Sequence, residues 1–190
     1  MGEVAGGILG AFGLSASAGL NAYIPLLVLG LLAKYTHLIT LSEPWDALTS
    51  GWAILALVLL SLVEFFADKI PAVDHINDAI QTFIRPTAGA ILFAASAKSV
   101  SDVNPVLALV AGLLVAGTVH TVKSVAVRPM VTVTTGGMAD PVVSALEDGV
   151  AVVVSVLSVV LPVLVIFFLA LVIWTAVRWI RKRRKSAVAV

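Results

Sequence analysis

The sequence predicts an all-α polytopic membrane protein, a compact bundle of about five transmembrane helices with a short amphipathic connector helix. Of its 190 residues, 60% are apolar and 12% are charged, against about 45–50% apolar and about 25% charged residues in a soluble domain. The mean hydropathy is +1.09. An apolar excess of this size has to face something other than water. The chain has no long polar linker, so we expect a single bundle.

Five segments are long enough, or nearly so, to cross a membrane, which takes roughly 20 mostly apolar residues. These segments are 5–33, 50–67, 86–100, 105–127 and 142–179. Their starts carry side chains that typically cap helices: Thr49-Ser50, Asn104 before Pro105, and Asp140 before Pro141.

The first segment is rich in glycine, and Asn21 and Pro25 lie near its middle. Two interpretations stay open. One is a tightly packed, kinked helix. The other is a broken helix that exposes backbone groups to a substrate, as in many transporters.

The third segment, 86–100, is short and rich in small residues, so we expect it at the centre of the bundle, enclosed by protein. The last, 142–179, is longer than the membrane is thick, at about 1.5 Å per residue, and predicts a tilt or a kink at Pro162. An apolar helix, an acidic connector and a further helix occur twice along the chain, which suggests a possible internal repeat with parallel halves.

The stretch 64–86 places six charges and a histidine between two apolar runs. Asp74, Asp78, Gln81 and Arg85 recur at four, three and four residues, which predicts a polar stripe on a short amphipathic helix over 72–85. Such a helix would lie in the interface or fold back into the bundle. Water on the polar face is the simpler explanation, but like charges at i,i+4 favour a cationic partner.

A second polar connector, 117–130, contains His120, Lys123 and Arg128. Glu147 and Asp148 stand directly before an apolar run, where unpaired charges are costly. We therefore predict that both connectors meet in one enclosed polar site that pairs these charges, and that holds the fold together or also binds a substrate. The candidate ion- or substrate-binding residues are Asn21, Glu64, Asp68, Asp74, His75, Asp78, Arg85, His120, Lys123, Arg128, Glu147 and Asp148.

The basic residues are concentrated near the C-terminus. Six of the twelve basic residues lie between 178 and 185, which leaves six bases against eleven acids, a net charge of −5, for the rest of the chain. We expect residues 1–177 to form the transmembrane domain and 178–190 a basic cytoplasmic tail at anionic lipid headgroups. The neighbouring Trp174 and Trp179 favour a membrane interface over nucleic acid. The N-terminus lacks the positive charge of a cleaved signal peptide.

Four stretches, SAGLNAYIPLL, DKIPAVDHINDAIQTFIRPTAGA, HTVKSVAVRP and SALEDGVAV, resemble motifs of a small family of bacterial integral membrane proteins of unknown function. The resemblance covers most of the chain but not the basic tail. It implies a membrane location and gives the connectors weight, and it implies no activity.

Three functions are compatible with these residues. The first is a small multi-pass transporter or channel in the cell membrane, the inner or plasma membrane, for a small ion or solute; His75 and three nearby acids, Asp68, Asp74 and Asp78, could supply ligands, although no metal motif is present. The second is a protein that binds or moves an anionic lipid or a phosphorylated ligand through Lys123, Arg128 and Arg85. The third is a structural or assembly role, with a homo-oligomer possible. We predict no enzyme and no cofactor, since the GxSxG motif is missing and the chain has no cysteine.

Overall fold

The computed structural model describes residues 2–67, 71–98 and 103–164 and the single positions 167, 171, 174 and 178, without the side chains of 2–5, 71–76 and 78. This part of the chain is all helical. In chain order its elements are α1 (Gly2–Leu20), α2 (Tyr23–Tyr35), a 3-10 turn (Trp45–Thr49), α3 (Gly51–Ala67), α4 (Pro71–Lys98), α5 (Pro105–Val122), a π-helical turn (Lys123–Val127), α6 (Arg128–Thr135) and α7 (Asp140–Val160).

The first apolar segment is broken into α1 and α2, so the alternative of one kinked helix is wrong. Pro25 has no N–H group to donate to the Asn21 carbonyl. The Ile24 N–H, which in a continuous helix would bond to the Leu20 carbonyl, instead donates to Asn21 Oδ1 at 3.0 Å. The Asn21 side chain therefore ends one helix and starts the next.

The predicted short connector helix over 72–85 is not a separate element, and this expectation is corrected. Helix α4 runs through Arg85 and Pro86 without interruption for 28 residues. The Pro86 ring lies beside Gly117 of α5, where an added Cβ would be in ordinary van der Waals contact at 3.7 Å. Helix α4 contacts α5 on both sides of Pro86, through Arg85 and through Gly89.

Helix α5 extends beyond the predicted end at 127. Together α5, the π-helical turn and α6 form 31 continuous helical residues, Pro105–Thr135. In the π-helical turn the Arg128 N–H reaches back to the Lys123 carbonyl, and this wider turn lies directly before Pro129, whose ring would clash with a regular helix. Gly136, with a φ of 63°, ends α6 in the left-handed conformation that favours glycine.

The predicted capping side chains are confirmed at two of the three helix starts. Ser50 Oγ accepts from the Ala53 N–H, and Asn104 Oδ1 accepts from the Val106 N–H. Asp140 is not a cap, which is a correction: its Oδ2 accepts a hydrogen bond from Thr132 Oγ1 at 3.0 Å. Helix α7 ends at Val160, with Leu161 as its C-cap, and helical geometry resumes at Pro162, in agreement with the kink at Pro162 that was one of the predicted alternatives.

The outer surface of the bundle is apolar and part of its interior is polar. In α3, Trp52, Val63 and Phe66 are exposed, while Glu64 is only 1% exposed. In α4, Phe83 is 77% exposed and Arg85 is 0% exposed. This distribution is the reverse of that in a water-soluble bundle.

Two of the described helices, Pro105–Thr135 and Asp140–Val160, are long and apolar enough to cross a membrane, and only 22% and 33% of their most apolar windows are buried. Three shorter helices, Gly6–Leu20, Tyr23–Tyr35 and Gly51–Ala67, are also apolar. The second half of α4, which packs against α1 and α5, is buried as predicted for the small-residue segment. The internal repeat stays a prediction.

Helices α4 and α5 cross at two glycines that allow their backbones to touch. A Cβ atom added to Gly89 would lie 2.8 Å from the Gly112 carbonyl oxygen and would also clash with Ala116. A Cβ atom on Gly112 would lie 2.6 Å from the Phe93 Cβ. The close approach of these helices therefore depends on the absence of both side chains.

We expect Gly89→Ala to lower the free energy of unfolding by about 1–3 kcal/mol, because the added methyl group meets backbone rather than a movable side chain. Gly149→Ala is the matched control: Gly149 lies inside α7 with nothing within 4 Å of an added Cβ, so alanine should be neutral or slightly stabilising. Thermal and denaturant unfolding of both variants checks this. Equal stability of the two would contradict the packing described here.

Candidate functional site: a buried charged network

Arg85 lies at the centre of a network that joins three helices. Its side chain is fully buried. Nη2 donates to Glu64 Oε1 on α3 at 2.9 Å, and Nη1 lies 3.1 Å from Nδ1 of His120 on α5. The polar stripe of α4 thus points into the bundle, toward side chains that the sequence places far apart.

The contact with Arg85 determines the protonation state of His120. A guanidinium group has only donors, so His120 Nδ1 has to accept the hydrogen bond and carries no proton. The proton of the neutral ring then resides on Nε2, which lies 3.1 Å from Thr82 Oγ1 and donates to it. His120 is therefore uncharged in this arrangement.

Lys123 connects the network to the helix break and to α7. It is the first residue of the π-helical turn, and only 2% of it is exposed. Its Nζ donates to the Leu20 carbonyl at 2.9 Å and lies 2.8 Å from Glu147 Oε2. Arg128 Nη2 lies 3.5 Å from the same carboxylate oxygen. Glu147 is thus held between two cations.

The break between α1 and α2 supplies polar groups that a regular helix would keep to itself. The Leu20 carbonyl is free to bind Lys123 because Ile24 donates elsewhere. Asn21 Oδ1 also accepts from the Tyr23 N–H, and Asn21 Nδ2 donates to Asp148 Oδ1 on α7 at 3.0 Å. One asparagine therefore caps a helix and binds a buried acid.

The charges of the described network balance. Three carboxylates, Glu64, Glu147 and Asp148, face three cations, Arg85, Lys123 and Arg128, around the neutral His120. The two halves are close enough for Arg85 and Lys123 to repel each other. Charges of both signs inside an apolar bundle are stable only when paired in this way.

Eight of the twelve residues that the sequence predicted as a site belong to this network. They are Asn21, Glu64, Arg85, His120, Lys123, Arg128, Glu147 and Asp148. Asp68 lies outside the described residues, and so do the side chains of Asp74, His75 and Asp78. A role of any of the twelve in binding an ion or solute stays a prediction.

Sequence reasoning left four groups out of the site. Thr82 and the Leu20 carbonyl contact the network directly. Tyr23 lies near Gln81, Glu64 and Arg85. Gln81 could have been recognised from the sequence as a site residue, since it lies on the polar stripe one turn before Arg85. Among the side chains that the structure describes, no group of three or more His, Cys, Asp or Glu residues could hold a metal ion.

The fold and the network define a class of protein: an all-helical bundle with an apolar exterior, membrane-length helices and buried, paired charges. The chain belongs to a family described as a domain of unknown function (DUF4126), whose model matches residues 8–182. The predicted resemblance to a family of unknown function is thereby confirmed. No curated protein and no solved structure matches the chain.

We expect Glu64→Leu and Arg85→Met each to lower the free energy of unfolding by about 3–5 kcal/mol, because each leaves a buried charge without its partner. The double variant should cost less than either single change, since two apolar side chains of similar volume then meet. Thermal unfolding of the four proteins gives the coupling energy. Additive losses would mean that the two charges do not stabilise each other.

Two substitutions test the hydrogen bond between Asn21, at the helix break, and Asp148 of α7. Asn21→Asp keeps an oxygen for the Tyr23 and Ile24 N–H groups but places a second carboxylate against Asp148, so we expect a loss of about 1–3 kcal/mol. Adding Asp148→Asn restores one donor and one acceptor and should recover most of that loss. Unfolding at neutral pH measures both steps. A double variant as unstable as Asn21→Asp alone would rule out direct pairing.

Proposed function

We propose that the protein is a multi-pass membrane protein that moves a small ion or solute, and that the buried charged network forms the site through which it passes. One observation carries the proposal: three carboxylates and three cations are enclosed by helices whose outer faces are apolar. Ionisable groups in such positions are costly, and in membrane proteins they typically mark ion and substrate pathways.

The distribution of side chains supports a location in the membrane. Large apolar residues on α3, α5 and α7 are exposed, including Trp52, Leu59, Leu114 and Val153, and lipid is the surrounding that makes this exposure favourable. Five crossings would consist of α1 with α2, α3, the second half of α4, α5 with α6, and α7.

The orientation follows from the basic C-terminal segment. Arg178 lies 4.6 Å from the Trp174 ring centroid, a cation–π contact typical of the interface between lipid and water. Under the positive-inside rule the C-terminus is cytoplasmic, in the inner or plasma membrane, with anionic headgroups as its partners.

The helix break and Gln81 support passage rather than a purely structural role. The break frees the Leu20 carbonyl next to Lys123, and freed backbone groups in broken helices commonly contact ions and substrates in transporters. Gln81 Oε1 is buried and accepts no hydrogen bond from any residue that the structure describes. A hydrated ion or a polar solute would satisfy this oxygen.

A second candidate function is the binding of an anionic lipid or a phosphorylated ligand. Glu147 Oε2 lies 2.8 Å from Lys123 Nζ and 3.5 Å from Arg128 Nη2, which is where an anionic headgroup oxygen would sit if Glu147 moved away. This function requires the displacement of the Glu147 carboxylate, which is already in place.

A structural or assembly role without transport, for example as a homo-oligomer, would require neither the displacement of Glu147 nor the flux of an ion.

The test is the current across a membrane containing the purified protein. In proteoliposomes on a solid support, jumps in the concentration of protons, Na⁺, K⁺, Mg²⁺, chloride or phosphate should give a current for at least one ion. We expect Glu147→Gln to reduce it strongly, because Lys123 and Arg128 lose their shared anionic partner. Asp46→Asn, on an exposed residue of the 3-10 turn outside the network, should leave it unchanged.

Two outcomes would redirect the proposal. No current for any of these ions, with wild-type protein that is folded and correctly inserted, would exclude ion transport as the function. A phospholipid or phosphorylated compound that remains bound in native mass spectrometry, and is lost in Lys123→Gln, would favour the second candidate.

A further inference from the structure

The geometry around His120 points to a particular ion. We propose that the proton is the coupling ion of this protein and that His120 Nδ1 binds it once Arg85 has moved away. This proposal rests on the transport function proposed above and names the ion for that same site.

The first step concerns the two nitrogen atoms of the ring. Nε2 already carries a proton and donates it to Thr82 Oγ1, so only Nδ1 can accept another. Nδ1 is occupied by the Arg85 Nη1 donor at 3.1 Å. A proton can therefore bind only after this hydrogen bond has been broken.

The second step concerns what happens after binding. Protonated His120 would place an imidazolium beside the Arg85 guanidinium, two cations with donors facing donors. Lys123, one turn further along the same helix, adds a third positive charge nearby. Glu64 is the acid that Arg85 binds. Proton binding to Nδ1 and the Arg85–His120 hydrogen bond are thus mutually exclusive, and two exclusive events are thermodynamically coupled.

The other described groups around His120 have partners of their own and leave the repulsion between a protonated His120 and Arg85 in place. Helix α2 contributes Tyr23, which lies near Glu64 and Arg85. Helix α7 contributes Glu147 and Asp148, which bind Lys123 and Asn21. Helix α1 contributes the Leu20 carbonyl, which Lys123 occupies. On α4, Asp78 precedes Thr82 by one turn.

The position of Thr82 gives the proton a way to leave. Thr82 is exposed, whereas Arg85 on the other side of the ring is fully buried. A proton gained on Nδ1 is balanced when Thr82 Oγ1 takes the Nε2 proton and passes its own hydroxyl proton on to another acceptor, which leaves a neutral ring in its other tautomer. Because Nδ1 then carries a proton that faces the Arg85 donors, the ring has to return to the Nε2–H tautomer before Arg85 can bind again. Histidine is the side chain whose two nitrogen atoms allow such a relay near neutral pH.

His120→Asn separates the proton from the fold, because the asparagine Oδ1 can accept from Arg85 in place of Nδ1 but does not titrate. His37→Asn is the matched control, since His37 is exposed in the loop after α2. Both variants and the wild type are placed in vesicles containing a pH-sensitive dye, with the membrane potential clamped. We expect proton flux in the wild type and in His37→Asn, and only the rate of protein-free vesicles in His120→Asn.

A second readout does not depend on transport. In wild-type protein with ¹⁵N-labelled histidine, His120, assigned by its absence in His120→Asn, should be the neutral Nε2–H form while Arg85 is bound and should show a protonated form when the pH is lowered. Flux of another ion, without proton flux and with His120 neutral throughout, would overturn the proton proposal and leave the transport function intact. Titration of His120 without flux of any ion would instead overturn the transport function and support His120 as a proton-binding group.

Discussion

The burial of Arg85 is the constraint on which the rest of the structure depends. A guanidinium without water has to find acceptors, and here these are a carboxylate from α3 and an imidazole from α5. Helix α3 makes few other polar contacts with the bundle, since Leu57 and Glu64 are its buried residues. It packs against α2 and the 3-10 turn, and the charge pair adds its link to α4, while much of its apolar surface stays exposed. Polar contacts determine the arrangement because apolar surface alone gives helices no preferred neighbour when the surroundings are equally apolar.

Small residues make this arrangement possible. Gly89 and Gly112 bring α4 and α5 close enough for Arg85 to reach His120. On the other side, Ser17 of α1 shares hydrogen bonds with Ser155 and the Ala151 carbonyl of α7, so α7 lies where Glu147 and Asp148 meet the helix break. Close helix contact and charge pairing therefore depend on each other: the glycines and serines bring the helices together, and the charged pairs select their register.

Patterns along the chain predicted the members of the network better than its connections. The spacing of Gln81 and Arg85 identified a polar stripe, and the position of Glu147 before an apolar run identified a charge that needs a partner. The partners themselves depend on tertiary packing, so nothing in the sequence paired Lys123 with the Leu20 carbonyl. Pro86 looked like a boundary because proline usually ends a helix, but α4 continues through it for 28 residues. Asp140 looked like a cap because local rules cannot anticipate that Thr132 donates to it.

The energetic cost of the network supports the proposed function. Buried ion pairs are often no more stabilising than apolar residues of similar volume, so stability alone gives little reason to bury six charges. Two of the contacts also involve helix irregularities, the break after Leu20 and the π-helical turn at Lys123, which cost free energy in an otherwise regular bundle. Under the proposed transport function, an ion that replaced the partner of Glu64, Glu147 or Asp148 would weaken a contact between two helices, since each of these carboxylates is paired with a group on another helix. Ion binding and helix position would therefore change together, which is the physical requirement for coupled transport.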